Sequence, residues 1–259
     1  MLLEYLLICI AAFVTSGLTL LSGFGLGTLL LPAFAVFFPV DLAVAMTAIV
    51  HFLNNLFKLV LLGKYAQRSV IVAFGLPAIF AALVGAWVLV LVSDLPPLAQ
   101  YQFLGHEFSI LPVKVVIGPL MVVFAVMEVL PGLQHVSFPK QYLPLGGVLS
   151  GFFGGISGHQ GALRSAFLVR AGLSKEKYLG TGVVIACLVD VSRIAVYSPR
   201  FSEMHFADNG PLLGAAVISA LLGAVMGNRL MKKVTLRSIQ ILVSVLLFAI
   251  GLGLAAGMI

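Results

Sequence analysis

The sharpest group of chemically capable side chains lies at His159, Gln160 and Arg164, within an otherwise apolar stretch of the chain. A guanidinium group is always charged, and its planar fork matches the oxygens of a small oxyanion. Arg164 lies too deep in the apolar stretch to reach water easily. We therefore expect Arg164, His159 and Gln160 to bind an anion. The alternative is a structural ion pair between Arg164 and Asp190.

A polar stripe is predicted on a second segment, because His51, Asn55 and Lys58 have the i, i+4, i+7 spacing of one helix face. Asn54 lies next to that face. Asparagine amides can donate to an anion, and histidine can carry a coupled proton near neutral pH. The alternatives are hydrogen bonds between helices for the two amides, and a lysine whose charged end reaches the membrane surface.

A third pair, Asp190 and Arg193, has the i, i+3 spacing that lets a carboxylate and a guanidinium meet on one helix. We expect a structural ion pair here, with His51, Asp190 and Arg193 as candidates for proton coupling or gating. Hydroxyl groups near predicted helix ends are expected either to cap a helix or to bind the ligand. These are Ser22, Ser150, Ser157, Thr47 and Thr181.

The sequence contains no catalytic or metal-binding pattern beside these residues. It lacks a G-x-S-x-G elbow, a paired-carboxylate motif, a P-loop and a His/Cys/Asp cluster with metal-ligand spacing. Cys9 and Cys187 lie in separate apolar runs and are expected to be small core residues. We therefore expect no enzymatic activity, no cofactor and no metal ion.

The composition defines the environment in which these residues act. Of 259 residues, 61% are hydrophobic and 9% are charged, and the mean hydropathy is +1.16. Soluble domains are about 25% charged, so the chain is expected to be an all-α, multi-pass protein of a lipid bilayer. Basic loops on the cytoplasmic side explain the net charge of +6. We expect no nucleic-acid partner.

Six apolar stretches are long enough to cross a membrane as helices, at about 20 residues per crossing. Two further stretches are longer than one crossing, and each contains a Gly-rich run, Ser22–Gly27 or Ser150–Gly161. Each is predicted to be a helical hairpin broken at that run, with close glycine packing between helices as the alternative. The predicted hairpins are 1–38 and 142–170, and the predicted spans are 42–62, 70–92, 113–130, 178–198, 211–230 and 236–258.

The same order of elements occurs in both halves of the chain. A broken hairpin and three spans make up residues 1–130, and the order repeats in 142–259 after an inner linker at 131–141. Ser-Gly-Phe begins both Gly-rich runs, at Ser22 and Ser150. We therefore predict two structural repeats.

The loop charges reverse between these repeats. The loop 93–112 holds acidic and no basic residues, whereas its counterpart at 229–237 holds four basic residues. Since basic loops face the cytoplasm, we predict an inverted-topology repeat. The turn 39–41 and the loops 93–112 and 198–209 are placed outside, and the loops 63–69, 131–142, 170–177 and 231–237 inside.

The outer loop also carries a local pattern. Tyr101, Phe103, Phe108 and Ile110 alternate with other residues on either side of Gly105. Such period-two alternation around a glycine is typical of two short strands joined by a turn. A small extramembrane β-hairpin is therefore predicted near 99–111.

The Gly-rich runs and the segments after them resemble those of a known family, TauE/SafE (TSUP). Ser22–Gly27 with Pro32 and Ala43–Thr47 resembles its first-half signature, and Ser150–Gly155 with Gly180-Thr181 resembles the second. The similarity covers the whole chain in length, order of repeats and number of spans. The family's proteins are multi-pass membrane transporters, linked to sulfite, sulfonates and other organosulfur anions, mostly in export.

The resemblance implies a secondary transporter, in a bacterial inner membrane, that exports a small sulfur-containing anion such as sulfite or an organosulfonate. The site is expected near the midplane, between the repeats, with access alternating between the two sides. A coupled proton is the expected co-substrate. The alternatives are a passive anion channel and a transporter of a non-sulfur carboxylate. The candidate binding residues are Arg164, His159, Gln160, Ser157, Ser22, Gly25, His51, Asn54, Asn55 and Lys58.

Overall fold

The computed structural model is almost entirely helical, with one small β-hairpin in the part of the chain that it describes. It describes residues 2–22, 26–130, 136–202, 206–230 and 236–259. Side chains are described within these ranges except at 18–22, 26, 28, 227–230 and 236–240. Gly25 therefore lies outside the described residues, as does the side chain of Ser22.

The elements follow the predicted order. Two paired helices precede three long ones in each half, and the hairpin lies in the connection between α4 and α5. The helices are α1 (Leu2–Ser22), α2 (Leu26–Ala35), α3 (Val40–Leu62), α4 (Arg68–Ser93, with a π-helical turn at Ile71–Gly75), α5 (Pro112–Val129), α6 (Leu143–Ser157), α7 (Gly161–Leu168), α8 (Lys175–Tyr197), α9 (Gly210–Leu230) and α10 (Leu236–Ala255). The strands are β1 (Ala99–Phe103) and β2 (His106–Ile110).

Within the described residues, five helical stretches are long and apolar enough to cross a membrane. The sixth predicted span, 236–258, corresponds to α10, Leu236–Ala255. The five stretches are Val40–Tyr65, Arg68–Ser93, Pro112–Val129, Lys175–Arg200 and Phe206–Met226.

The outer surface of α4 has the character of a lipid-facing helix. Its large apolar side chains form an exposed stripe, whereas its buried face consists mostly of alanine and glycine. In water such a stripe would be a large unpartnered apolar surface, but in a bilayer it meets acyl chains. The exposed stripe is formed by Leu76, Phe80, Val84, Trp87 and Leu91.

Helices from the two halves of the chain interleave. The extensively packed pairs are α1 with α9, α4 with α6, α5 with α10, and α3 with α8. Each pair joins one helix from before the linker to one from after it. The central pair, α3 and α8, also holds many of the buried polar residues. The halves therefore form one body whose polar interior lies between them.

The second Gly-rich run is mostly helix, and its predicted extent is wrong. The helix α6 continues to Ser157, and the backbone leaves the helix only at Gly158–Gln160. Gly147, Gly151 and Gly155 are spaced four residues apart along one face, and a Cβ at any of them would come within 3.0 Å of a backbone carbonyl oxygen of α4. These glycines therefore permit close helix packing, which was the alternative explanation of the run.

The two Gly-rich runs lie at different positions relative to the ends of their helices. Ser22 is the last residue of α1, whereas Ser150 lies about two turns before the end of α6. By position in its helix, the counterpart of Ser22 is Ser157. The Ser-Gly-Phe match therefore does not align equivalent positions, although both halves have a hairpin of two helices at their start.

The predicted β-hairpin is confirmed. Tyr101 pairs with Phe108 and Phe103 with His106, and the rings of Tyr101 and Phe108 stack at 5.4 Å between centroids. Leu104 and Gly105 form the turn with φ values of 52° and 80°, as two-residue hairpin turns require. The hydroxyl of Tyr101 donates to the carbonyl of Ala256 at 2.7 Å, which holds the hairpin against the end of α10.

The glycine stripe on α6 yields a stability prediction. Gly151→Ala places a methyl group against the carbonyl of Ala78, so α4 and α6 must separate. We expect the free energy of unfolding to fall by about 1–3 kcal/mol, seen as a lower melting temperature in detergent. The control is Gly214→Ala on α9, where a Cβ meets nothing within 4 Å. There the higher helix propensity of alanine predicts an unchanged or slightly raised melting temperature. Equal melting temperatures for the two variants would contradict this packing.

Candidate functional site

The carboxylate of Asp190 is the centre of the buried polar interior. It lies on α8, is fully buried, and accepts two hydrogen bonds from Arg193 one turn later. Nε and Nη2 of Arg193 lie 3.0 and 2.8 Å from Oδ1 of Asp190. The ion pair expected from the i, i+3 spacing is therefore present, with both partners fully buried.

The second oxygen of Asp190 faces α3. Nδ1 of His51 lies 2.6 Å from Oδ2 of Asp190, and the amide nitrogen of Asn55 lies 3.4 Å from the same oxygen. Because a carboxylate only accepts, Nδ1 of His51 carries the hydrogen in this contact. The amide of Asn55 lies 3.0 Å from that same ring nitrogen, so with Nδ1 protonated it donates to Asp190. The polar stripe on α3 thus meets α8 at a single carboxylate.

Gln160 connects this carboxylate to Arg164. Its amide nitrogen donates to Oδ1 of Asp190 at 3.3 Å, and its amide oxygen accepts from Nη1 of Arg164 at 3.2 Å. Arg164 and Lys58 are both buried and lie close enough to interact electrostatically. Three basic side chains, those of Arg164, Lys58 and Arg193, therefore share this region with one aspartate.

The break between α6 and α7 places Gln160 at this position. Gly158 has φ = +81°, a conformation that favours glycine, and a Cβ there would lie 2.7 Å from Nη1 of Arg193. Ser150 donates to the carbonyl oxygen of Gln160 at 2.9 Å, which fixes the chain after the break. A Cβ on Gly27, at the start of α2, would lie 2.9 Å from the carbonyl oxygen of Gly158. The first-half hairpin therefore touches the second-half break at this point.

His159 points away from Asp190, toward α5. Its ring stacks on Phe124 with centroids 4.9 Å apart and an 8° angle between planes. Nδ1 of His159 lies 3.0 Å from the hydroxyl of Ser157, which itself donates to the carbonyl of Phe153. His159 and Ser157 thus form a second polar group beside the break, and neither has a described hydrogen bond to Arg164 or Gln160.

Some of the remaining polar side chains of α3 and α8 make structural hydrogen bonds to other segments. Ser16 of α1 donates to the amide oxygen of Asn54 at 2.8 Å, and Thr181 accepts from the backbone N–H of Gln67 at 2.9 Å. Asn54 thus makes the interhelical bond that was the alternative for the amides. Among the described buried side chains, four near this interior have a nitrogen or oxygen without a hydrogen-bond partner in the protein: Thr47 Oγ1, Asn54 Nδ2, His159 Nε2 and Arg193 Nη1.

The geometry brings together a subset of the predicted residues. His51, Asn55, Gln160, Asp190 and Arg193 share one carboxylate-centred cluster, with Arg164 joined to it through Gln160. We call these six residues the central cluster. The alternative pairing of Arg164 with Asp190 does not describe the site, because the carboxylate oxygens bond to His51, Arg193, Gln160 and Asn55 instead.

Three residues that contribute to this polar interior were not predicted from the sequence. Ser16 bonds Asn54, Phe124 stacks on His159, and the hydroxyl of Tyr197 donates to the carbonyl of Gly155. Ser16 and Tyr197 are polar residues within predicted apolar helices, which is a usable signal. Phe124 carried no such signal in the sequence, because one phenylalanine among many on an apolar helix is ordinary.

This arrangement suits the binding of an anion. Arginine, lysine and amide N–H groups converge in an interior that lipid surrounds, and such groups bind oxyanions strongly where water is excluded. No group of three or more His, Cys, Asp or Glu side chains in the described ranges could hold a metal ion. The interior thus resembles the charged, broken-helix sites by which membrane transporters hold ionic substrates.

Comparison with protein families identifies the chain more closely. Residues 8–254 match the model of the sulfite exporter TauE/SafE family, so nearly the whole chain is covered. The protein therefore belongs to this family of membrane transporters, as its Gly-rich runs and threonines indicated. Searches of curated proteins and of solved structures found no match.

The buried ion pair yields a second stability prediction. Arg193→Gln leaves the buried charge of Asp190 without its main counter-charge, which costs about 3–5 kcal/mol. We expect a large fall in melting temperature in detergent, and partial recovery when Asp190→Asn is added, because the two positions are coupled.

The control breaks an exposed pair instead. Arg200 and Asp94 lie 2.6 Å apart, with side chains 20% and 59% exposed. Arg200→Gln should cost no more than about 1 kcal/mol. An Arg193→Gln loss as small as the control, or no recovery in the double variant, would contradict the central role of the Asp190–Arg193 pair.

Proposed function

We propose that the protein is a secondary transporter that exports a small sulfur-containing anion, such as sulfite or an organosulfonate, across a bacterial cytoplasmic membrane. The observation that carries the proposal is the meeting of cationic and amide side chains from both halves of the chain beside a helix break. Family membership supplies the class of substrate. The central cluster supplies the charge that such a substrate needs.

Arg164, Gln160 and Lys58 are proposed as the main anion-binding groups. Both cations are buried, and Gln160 links Arg164 to the rest of the central cluster. His51 and Asn55 line the same interior, with Asn54, His159 and Ser157 at its edges. The binding roles of Ser22 and Gly25 remain predictions, because Gly25 and the side chain of Ser22 lie outside the described residues.

Transport is proposed to occur by alternating access between inverted repeats. The helix pairing supports this. By position in each half, α1 corresponds to α6 and α4 to α9, and α1 packs on α9 whereas α6 packs on α4. The other two pairs, α3 with α8 and α5 with α10, each join corresponding helices. Such an exchange of partners is what a two-fold pseudo-symmetry axis through the centre would produce. The proposed coupling ion is a proton, with His51 and Asp190 as the titratable groups at the crossing.

Binding is tested with a thermal-shift panel on the purified full chain in detergent. The probes are sulfite, isethionate, sulfoacetate, thiosulfate, sulfate and acetate. A bound anion at about 100 times its Kd should stabilise the protein by about 2.7 kcal/mol. We expect a shift with sulfite or a sulfonate that Arg164→Ala abolishes, because the guanidinium group supplies the bidentate contact.

The matched control is Arg170→Ala, six residues further along the same segment, where the side chain is exposed. This variant should keep the full shift. A shift that persists in Arg164→Ala would overturn the assignment of Arg164. The absence of any shift across the panel, in the wild type and in Asp190→Asn alike, would overturn the substrate class.

The predicted topology is tested by labelling with a membrane-impermeant maleimide. In a background with Cys9 and Cys187 replaced by serine, Gln102→Cys in β1 should react in intact cells. Lys64→Cys, between α3 and α4, should react only after permeabilisation. The ion pair of Arg200 with Asp94 already joins two loops assigned to one side. Labelling of both positions in intact cells would contradict the proposed orientation.

A further inference from the structure

The carboxylate of Asp190 occupies a shell that has the form of an oxyanion-binding site. Five N–H donors surround it: Nε and Nη2 of Arg193, the amides of Gln160 and Asn55, and Nδ1 of His51. They come from α3, from α8 and from the break before α7. A guanidinium fork with two amides is the donor set by which proteins bind free carboxylates and sulfonates.

We propose that Asp190 is a built-in competitor for the transported anion, which takes over the Arg193, Gln160 and Asn55 donors when the Asp190 carboxylate withdraws. This inference rests on the proposed function. It adds Arg193 to the substrate-binding residues and gives Asp190 a role that opposes binding.

The hydrogen bonds of the central cluster support the sharing of one set of donors by the Asp190 carboxylate and a bound anion. Gln160 donates to Asp190 with one end and accepts from Arg164 with the other, so an anion held by Arg164 lies one side chain away from the Asp190 shell. Among the residues that the structure describes, Nη1 of Arg193 has no hydrogen-bond partner, although Arg193 is fully buried. A donor of this kind, at the helix break and next to Gly158, is available to an incoming oxyanion.

The charges around Asp190 determine whether its carboxylate strengthens or weakens anion binding. The charged and titratable groups that act on it are His51, Arg164 and Arg193, with Cys187 and Tyr197 on its own helix. While the aspartate is ionised, it neutralises part of the positive charge that would bind the anion. The apparent affinity is then reduced by the fraction of molecules in which the shell is occupied.

A purely structural role for Asp190 predicts a different result. If the carboxylate only stabilised α8 and α3, its removal would weaken anion binding or leave it unchanged. A competitor predicts tighter binding. The sign of the change in affinity therefore separates the two roles.

The experiment measures the Kd of sulfite and of isethionate for the purified full chain in detergent. Asp190→Asn keeps the size of the side chain and an acceptor oxygen for Arg193, but removes the negative charge. We expect the Kd of the bound probe to fall by about tenfold or more relative to wild type. Adding Arg193→Gln to this variant should cancel the gain, because the fork is lost.

The control for a general charge effect is Glu128→Gln. Glu128 lies on α5 and is the other buried carboxylate among the described residues. The substitution changes the net charge by the same amount as Asp190→Asn. It should leave the Kd of sulfite and isethionate unchanged, whereas an equal gain in both variants would overturn the proposal.

A second variant keeps the test available if Asp190→Asn does not fold. In Asp190→Ala, formate fits the space left by the carboxylate and should raise the melting temperature, which it should not do in wild type. Formate should also raise the apparent Kd of sulfite or isethionate in this variant, because both anions use one shell. Probe binding that is independent of formate would overturn the proposal.

Binding by the wild type and binding by the Asp190 variants test the proposed function and the role of Asp190 separately. A wild type that binds sulfite or isethionate, with no gain or a loss in Asp190→Asn, overturns the role of Asp190 and leaves the proposed function standing. If the wild type, Asp190→Asn and Asp190→Ala all fail to bind either probe, the proposed function falls, and the inference falls with it.

Discussion

A fully buried carboxylate between two membrane-embedded helices must be surrounded by donors, and much of this structure follows from that requirement. An uncompensated charge in such an interior costs several kcal/mol. Asp190 meets the requirement with Arg193 on its own helix and with His51, Asn55 and Gln160 from two other segments. The positions of α3, α8 and the break at Gly158–Gln160 are therefore coupled, and a shift of any of them changes the donors around the charge.

Packing between the helices rests on shape more than on hydrophobicity. Lipid acyl chains are as apolar as leucine, so burying a large side chain between membrane helices gains little. Gly147, Gly151 and Gly155 of α6 instead bring the backbone of α4 into direct contact, and Gly118 of α5 and Gly251 of α10 face each other in the same way. The large residues of α4 are left on the outside. Close glycine contacts thus hold the outer helix pairs, while the central pair carries the polar groups.

The sequence predicted the elements well, because hydropathy and length determine which segments lie in a membrane. It predicted the hairpin near 99–111 from its alternation, and the Asp190–Arg193 pair from its spacing. It misplaced the second break because glycine has two uses. Gly151 and Gly155 serve close packing, and only Gly158, with its positive φ, serves the break.

The spacing of residues along the chain does not predict contacts between the two halves. His51 and Asp190 are 139 positions apart, and the bond between them depends on how α3 crosses α8. Spacing along one helix predicts which residues share a face, but it does not predict which face of another helix they meet. Arg164 was therefore assigned to Asp190 as one alternative, whereas Gln160 is the residue that lies between them.

The balance of donors and acceptors bears on which sulfur anion the proposed transporter would favour. The described side chains around Asp190 offer mainly N–H groups, and the two oxygens of the aspartate already accept five of them. A fully anionic ligand such as sulfite or isethionate has only acceptors to present on its charged group. Taurine also carries an ammonium group, which needs acceptors that this cluster has already committed. Under the proposed function, the same donor excess that holds Asp190 therefore disfavours zwitterionic sulfonates relative to simple anions.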